Sequence, residues 1–143
     1  MDYVEITDCM SATFQGIEQC VPQIGKGKFP FLLVARSFNG KAPLGQISKT
    51  LHISLARCSN LAKRLEKEGL IRRIDDPSDK RICYIEVTEK GEEFYESSRK
   101  KWTEFIDDYR NYLGEENFGK LCEVLCLTRK FLQLRQEKGE ANA

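Results

Sequence analysis

The chain has 143 residues, 41% hydrophobic and 31% charged, with a net charge of +1. That balance fits one soluble globular domain with a sizeable core and excludes a disordered or fibrous chain. No apolar run approaches the length needed to span a bilayer, and MDYVEITDCM has neither the basic nor the apolar region of a secretory signal, so no membrane partner and a cytoplasmic address are expected.

Residues 5–21 carry Ile6, Cys9, Met10, Phe14, Ile17 and Val21 at helical spacing, which predicts a first helix. Pro22 and the GKGKFP stretch from Gly25 to Pro30 should end it. Phe31 to Phe38 reads as a short buried helix closed by Asn39-Gly40. Pro43 stands near the start of the next helix, where its missing N–H matters little, and Leu44, Ile47 and Leu51 form the buried side. Ser54 is a good N-cap for a longer helix reaching Lys67. At 100° per residue, Leu55, Cys58, Leu61, Ala62 and Leu65 share one face, while Ala56, Arg57, Asn60, Lys63, Arg64 and Lys67 share the other. Gly69 supplies the stop. Leu70–Ile74 and Ile82–Val87 read as two strands joined by the polar loop Asp75–Lys80. Thr88 caps a further helix running to about Tyr112, where Gly114 breaks it. The last helix, about Glu115 to Gln136, has an apolar stripe too wide for burial on one side alone, and the tail KGEANA should fray.

The small net charge conceals an uneven distribution. Lys41 to Arg81 hold ten Lys or Arg against five Asp or Glu, a net of +5, whereas residues 1–40 carry −1 and residues 82–143 carry −3. A basic segment of this kind is the electrostatic footprint of phosphate binding. Within it, Ser54, Arg57 and Asn60 can hydrogen-bond base edges, and Lys63, Arg64 and Lys67 are placed for phosphates. Arg72, Arg73, Lys80 and Arg81 cluster at the ends of the hairpin. Asp79 stands two residues before Arg81, where a charge-assisted bond could hold the arginine extended. The architecture expected is mainly α with a small β-hairpin wing: a winged helix-turn-helix at about 30–88, flanked by helices at about 1–24 and 89–137 that serve dimerisation, in one domain over 1–143.

SLARCSNLAKRLEKEGLIRRIDDPSDKRICYIEVTEKG, Ser54 to Gly91, resembles the MarR family of bacterial winged-helix regulators in its recognition-helix spacing, LEKEGLI turn, D-P-x-D-K-R wing and TEKG helix opening. The resemblance implies a homodimer with interlocking terminal helices, bound to a palindromic double-stranded DNA operator. It implies that Asp79 and Arg81 are the wing's D-x-R pair, with Arg81 entering the minor groove. It also implies a ligand or oxidant that changes the spacing of the two DNA-reading lobes, and a small aromatic or amphipathic effector is the default expectation. The turn departs from the family in carrying His52 where glycine is usual.

Six cysteines, at 9, 20, 58, 83, 122 and 126, form no CxxC pair, and His52 is the sole histidine. Neither a disulfide framework nor a zinc site is expected, and most of the thiols read as small core hydrophobes. Cys9 and Cys20, on the first helix, are the candidates should the regulator be a thiol-based redox sensor. A winged-helix module that docks on protein is the other alternative. No cofactor motif, phosphate loop, HExxH or Ser-His-Asp set is visible, so catalysis is not expected.

Overall fold

The computed structural model describes residues 1–22 and 27–141. The elements in chain order are α1 (Tyr3–Cys20), α2 (Lys28–Arg36), β1 (Ala42–Pro43), α3 (Leu44–Leu51), α4 (Leu55–Lys67), β2 (Ile71–Asp75), β3 (Cys83–Val87) and α5 (Glu89–Ala141). The expected helix break after Pro22 falls partly on residues 23–26, and the expected frayed tail partly on 142–143, outside the described residues. The architecture is mostly helical with one small antiparallel sheet, a winged helix.

Two compact units divide the chain, residues 1–103 and 104–143. In the first, Phe31, Leu32, Ile47, Cys58, Leu65, Ile71 and Ile85 form a core in which each side chain is almost wholly buried. The 3.6-residue period of α4 delivers Cys58, Leu61, Ala62 and Leu65 to that core. Leu55 does not follow them: it is 58% exposed. Angular counting places it beside the core stripe, but it is the first residue of the helix, and the buried stripe begins one turn later at Cys58. The thiols depart from expectation more broadly. Only Cys58 is buried and Cys83 half-buried, while Cys9, Cys20, Cys122 and Cys126 are exposed on their helices.

Local chemistry fixes the boundaries. Helix α1 begins two residues earlier than its apolar period suggests, because Asp2 and Glu5 form a reciprocal capping box: the Glu5 amide donates to Asp2 Oδ1 at 2.9 Å and the Asp2 amide donates to Glu5 Oε2 at 2.8 Å. Helix α3 ends on His52 in the left-handed region at φ 54°, ψ 41°, and the Ile53 amide reaches back to the Ser48 carbonyl at 3.1 Å. His52 therefore adopts the backbone that glycine adopts without strain. Gly69 at φ +79° closes α4 in the same manner, with the Leu70 amide on the Leu65 carbonyl at 2.9 Å.

The sheet has the order β1-β3-β2, all antiparallel. Strand β1 escaped the sequence reading: it is two residues long and pairs Ala42 with Ile85, with Pro43 on an edge where no ladder donor is needed. Strands β2 and β3 pair from Ile71 with Val87 to Asp75 with Cys83, projecting residues 76–82 as the wing loop.

The TEKG opening of α5 docks the wing on α4. The Thr88 hydroxyl donates to the Gly69 carbonyl at 2.6 Å and accepts the Gly91 amide at 3.1 Å, and Lys90 Nζ donates to the Glu68 carbonyl at 2.9 Å. A Cβ on Gly91 would run into the Leu70 carbonyl oxygen, so only glycine permits this approach. Arg36 of α2 grips the same stretch of α5, 2.7 Å from Glu92 and stacked 3.8 Å above the Tyr95 ring. In the second unit, Gly114 at φ 78°, ψ 160° interrupts α5 as expected, and Arg110 forks onto Glu115 across the break at 2.8 Å.

Candidate nucleic-acid interface

Helix α4 offers one face to the core and the other to solvent. Arg57, Asn60, Lys63, Arg64 and Lys67 are all exposed, as their spacing predicts. Ser54 is the N-cap: its Oγ accepts the Arg57 amide at 3.1 Å. That bond satisfies one of the orphan donors of the first turn and leaves the hydroxyl free to donate only one further bond.

The wing is built around two carboxylates. Asp79 accepts the Arg81 amide and Nε through Oδ1, at 3.0 and 3.1 Å, and Arg81 Nη2 through Oδ2 at 3.2 Å. The Arg81 side chain remains 90% exposed. It is a cation held in direction yet open to solvent. The Arg81 hydrogen bonds, side-chain first, hold the Asp79 carboxyl below the usual range. Asp76 organises the turn, and sequence reasoning missed it. One of its oxygens accepts from the Ser78 hydroxyl at 2.7 Å and the Ser78 and Asp79 amides at 2.9 and 3.1 Å, and the other accepts the Tyr84 hydroxyl at 3.2 Å. The signal was present in D-P-S-D, a short side chain followed by the amides it can cap. These bonds, the Ser78 hydroxyl foremost, lower the Asp76 carboxyl, and the Asp76 contact raises the Tyr84 phenol.

The remaining basic candidates divide. Lys80 is exposed at the tip. Arg73 turns back to α4, with Nε 3.3 Å from Glu66 Oε1 and its amide 3.1 Å from Oε2. It braces the wing against the helix. Arg72 lies 3.5 Å from Glu86 on the neighbouring strand.

The solvent side of α4 also borders a cavity of about 610 Å³, reached by Leu51, Ile53 and Leu61 as apolar wall and by Glu18, Arg57, Asn60 and Arg64 as polar wall. Cys58 is walled into the core, where desolvation pushes its thiol up to about 11. Cys9 and Cys20 lie exposed on α1, away from this interface in sequence. Among the described residues no three ligating side chains converge on a metal position, and no described helix is long and apolar enough to cross a membrane.

The family model for the MarR family matches residues 37–83, the segment that holds α3, α4, the wing and most of the sheet. Over that segment the chain matches the MarR family. The HTH-type transcriptional regulator Hpr of Geobacillus thermodenitrificans is 37% identical over 109 residues, covering 68% of this chain and 51% of Hpr. The chain thus spans about half the length of the curated relatives it matches. Among solved structures, Streptococcus pneumoniae FabT in complex with DNA superposes with a TM-score of 0.74 at 19% identity, covering 92% of this chain and 98% of FabT. Bordetella bronchiseptica BpsR, a protein whose DNA binding is regulated by 6-hydroxynicotinic acid, superposes with a TM-score of 0.69 at 17% identity, over 87% of this chain and 98% of BpsR. These likenesses show the fold, a winged helix.

Proposed function

We propose that the chain is a DNA-binding transcriptional regulator, a homodimeric repressor that leaves a palindromic operator when a small ligand binds. The Asp79–Arg81 fork carries the reading. An exposed arginine, oriented by its own neighbour at a hairpin tip, suits the narrow and electronegative minor groove. Beside it, α4 presents Arg57 and Asn60 to base edges in the major groove, with the Ser54 hydroxyl at its N-terminus, and Lys63 and Arg64 to phosphates. Lys80 adds charge at the wing, and Arg73 acts through the brace to Glu66. FabT, of the same fold, is known bound to DNA.

Dimerisation follows from surface that one copy leaves uncovered. Helix α1 exposes Tyr3, Val4, Met10 and Phe14, and the last part of α5 exposes Val124, Leu125, Phe131 and Leu132. Apolar faces of that extent mark an interface, and a two-fold pair matches the two half-sites of a palindrome. The effector site is the cavity beside α4, whose size suits an aromatic or amphipathic molecule. BpsR answers to such a ligand. The exposure of Cys9 and Cys20 supports a second reading, in which oxidation of a thiol releases the DNA.

The test is binding to duplexes selected from random DNA, followed by Arg81→Ala and Lys63→Ala. Each should weaken binding several-fold or more. If neither does, the docking is wrong. If no duplex binds at low salt, the winged helix is a protein-docking module. Peroxide release that is abolished by Cys9→Ser or Cys20→Ser would favour the redox reading.

A further inference from the structure

We propose that Leu55 is a specificity-determining residue that reads the 5-methyl group of a thymine in each operator half-site. The inference rests on the DNA-docking reading of α4 and adds to it which chemistry the leading turn of that helix recognises.

In helix-turn-helix docking the N-terminal residues of the recognition helix meet the base edges. Here that turn is chemically sparse. The Ser54 hydroxyl oxygen caps the Arg57 amide at 3.1 Å, which leaves it one O–H to donate. Ala56 has only a methyl. Leu55 is 58% exposed at the first helical position, whereas the core stripe of the same helix begins at Cys58, which is fully buried. The leading end of α4 therefore presents an isobutyl group, a methyl, one guanidinium and the single remaining hydroxyl donor of Ser54.

The directions of these groups differ. At about 100° per residue, Leu55 and Arg57 stand about 100° to either side of Ala56, on opposite flanks of the helix. Arg57 shares its flank with Arg64 and the cavity wall. Leu55 shares its flank with Glu66, which bonds Arg73 of the wing. The two side chains therefore address different bases, Arg57 towards one groove wall and Leu55 towards the wing side.

A lone exposed leucine is ordinary on a protein surface. This one lies inside the segment of net charge +5, at the end of the helix whose polar face meets the groove. Thymine alone among the bases projects an apolar group into the major groove, and the other edges offer donors and acceptors that an isobutyl group would desolvate without repaying. Leu55 thus favours thymine by contact and disfavours the alternatives by unsatisfied hydrogen bonds.

The experiment uses the full-length protein and the tightest duplex selected from random DNA. Each thymine in one half-site is replaced in turn by 2′-deoxyuridine, which deletes the methyl and keeps the base pair. Affinities are read by fluorescence anisotropy for the unaltered protein and for Leu55→Ala. One replacement should weaken the unaltered protein by about fourfold, the worth of one buried methyl. Leu55→Ala should bind the thymine and deoxyuridine duplexes equally, and random-DNA selection with it should lose the thymine preference at that position. Indifference of the unaltered protein to every deoxyuridine overturns the proposal, as does a Leu55→Ala protein that still feels the lost methyl. Failure of all duplexes to bind at low salt would instead overturn the DNA-docking reading itself and this proposal with it.

Discussion

Replacing Asp79 with alanine removes a negative charge from the DNA-facing tip of the wing, so charge alone predicts tighter binding. The geometry predicts the opposite. Asp79 fixes Arg81 through three hydrogen bonds of 3.0–3.2 Å while the arginine stays 90% exposed. Without that fork, Arg81 must be ordered at the moment of binding, at about 1 kcal/mol per long side chain. The opposing gain is the lost repulsion between the carboxylate and a phosphate. At roughly 7 Å in water it is about 0.6 kcal/mol, and screening at physiological salt reduces it further. The net loss is about 0.5–1 kcal/mol per half-site, which over two half-sites is roughly a 5–30-fold weaker Kd. Folding stability should change little, because an exposed ion pair contributes about 0.2–1 kcal/mol. Fluorescence anisotropy at fixed salt measures the first quantity and urea unfolding the second. The double variant Asp79→Ala/Arg81→Ala should bind within about twofold of Arg81→Ala alone, because the carboxylate acts through the arginine. An Asp79→Ala protein that binds as tightly as the unaltered one would refute the positioning argument.

Three further outcomes follow from the fold. His52→Gly should stabilise the protein by about 0.5–1 kcal/mol in urea unfolding: relief of left-handed strain gives about 1–2 kcal/mol, offset in part by the greater freedom of glycine in the unfolded chain. Gly91→Ala should destabilise it by about 3 kcal/mol or more, since the new methyl meets the Leu70 backbone carbonyl, which cannot move without shifting α5 off the hairpin. Asp76 and Asp79 should both titrate below the ordinary aspartate range, read by carbon NMR of their carboxyl groups. Since their folded values lie below the unfolded ones, their contribution to wing order is fully present above the unfolded aspartate midpoint and is lost as pH falls through the folded midpoints.

Much of the interface could be read from the chain because it depends on local spacing. Asp79 and Arg81 are two residues apart, and their bond needs only the wing turn between them. The polar face of α4 follows from helical period alone. What period cannot reveal is where a covering surface stops, and so Leu55 looked like core and is exposed. The same limit applies to the thiols: Cys9, Cys20, Cys122 and Cys126 are exposed on their helices in one copy, where the apolar spacing reads as core. Arg73 looked equivalent to Arg81, but its partner Glu66 lies on another element, and only tertiary structure shows that pairing. Strand β1 was illegible because two residues, one a proline, carry no strand pattern.

The most direct test of the central account is the salt dependence of binding between the full-length protein and a duplex selected from random DNA, with the number of chains per duplex measured in the same samples. The account predicts two chains per palindromic duplex and an affinity that falls steeply as salt rises, with Arg81→Ala and Lys63→Ala each flattening the slope. One chain per duplex, or an affinity indifferent to salt and to both substitutions, would contradict it.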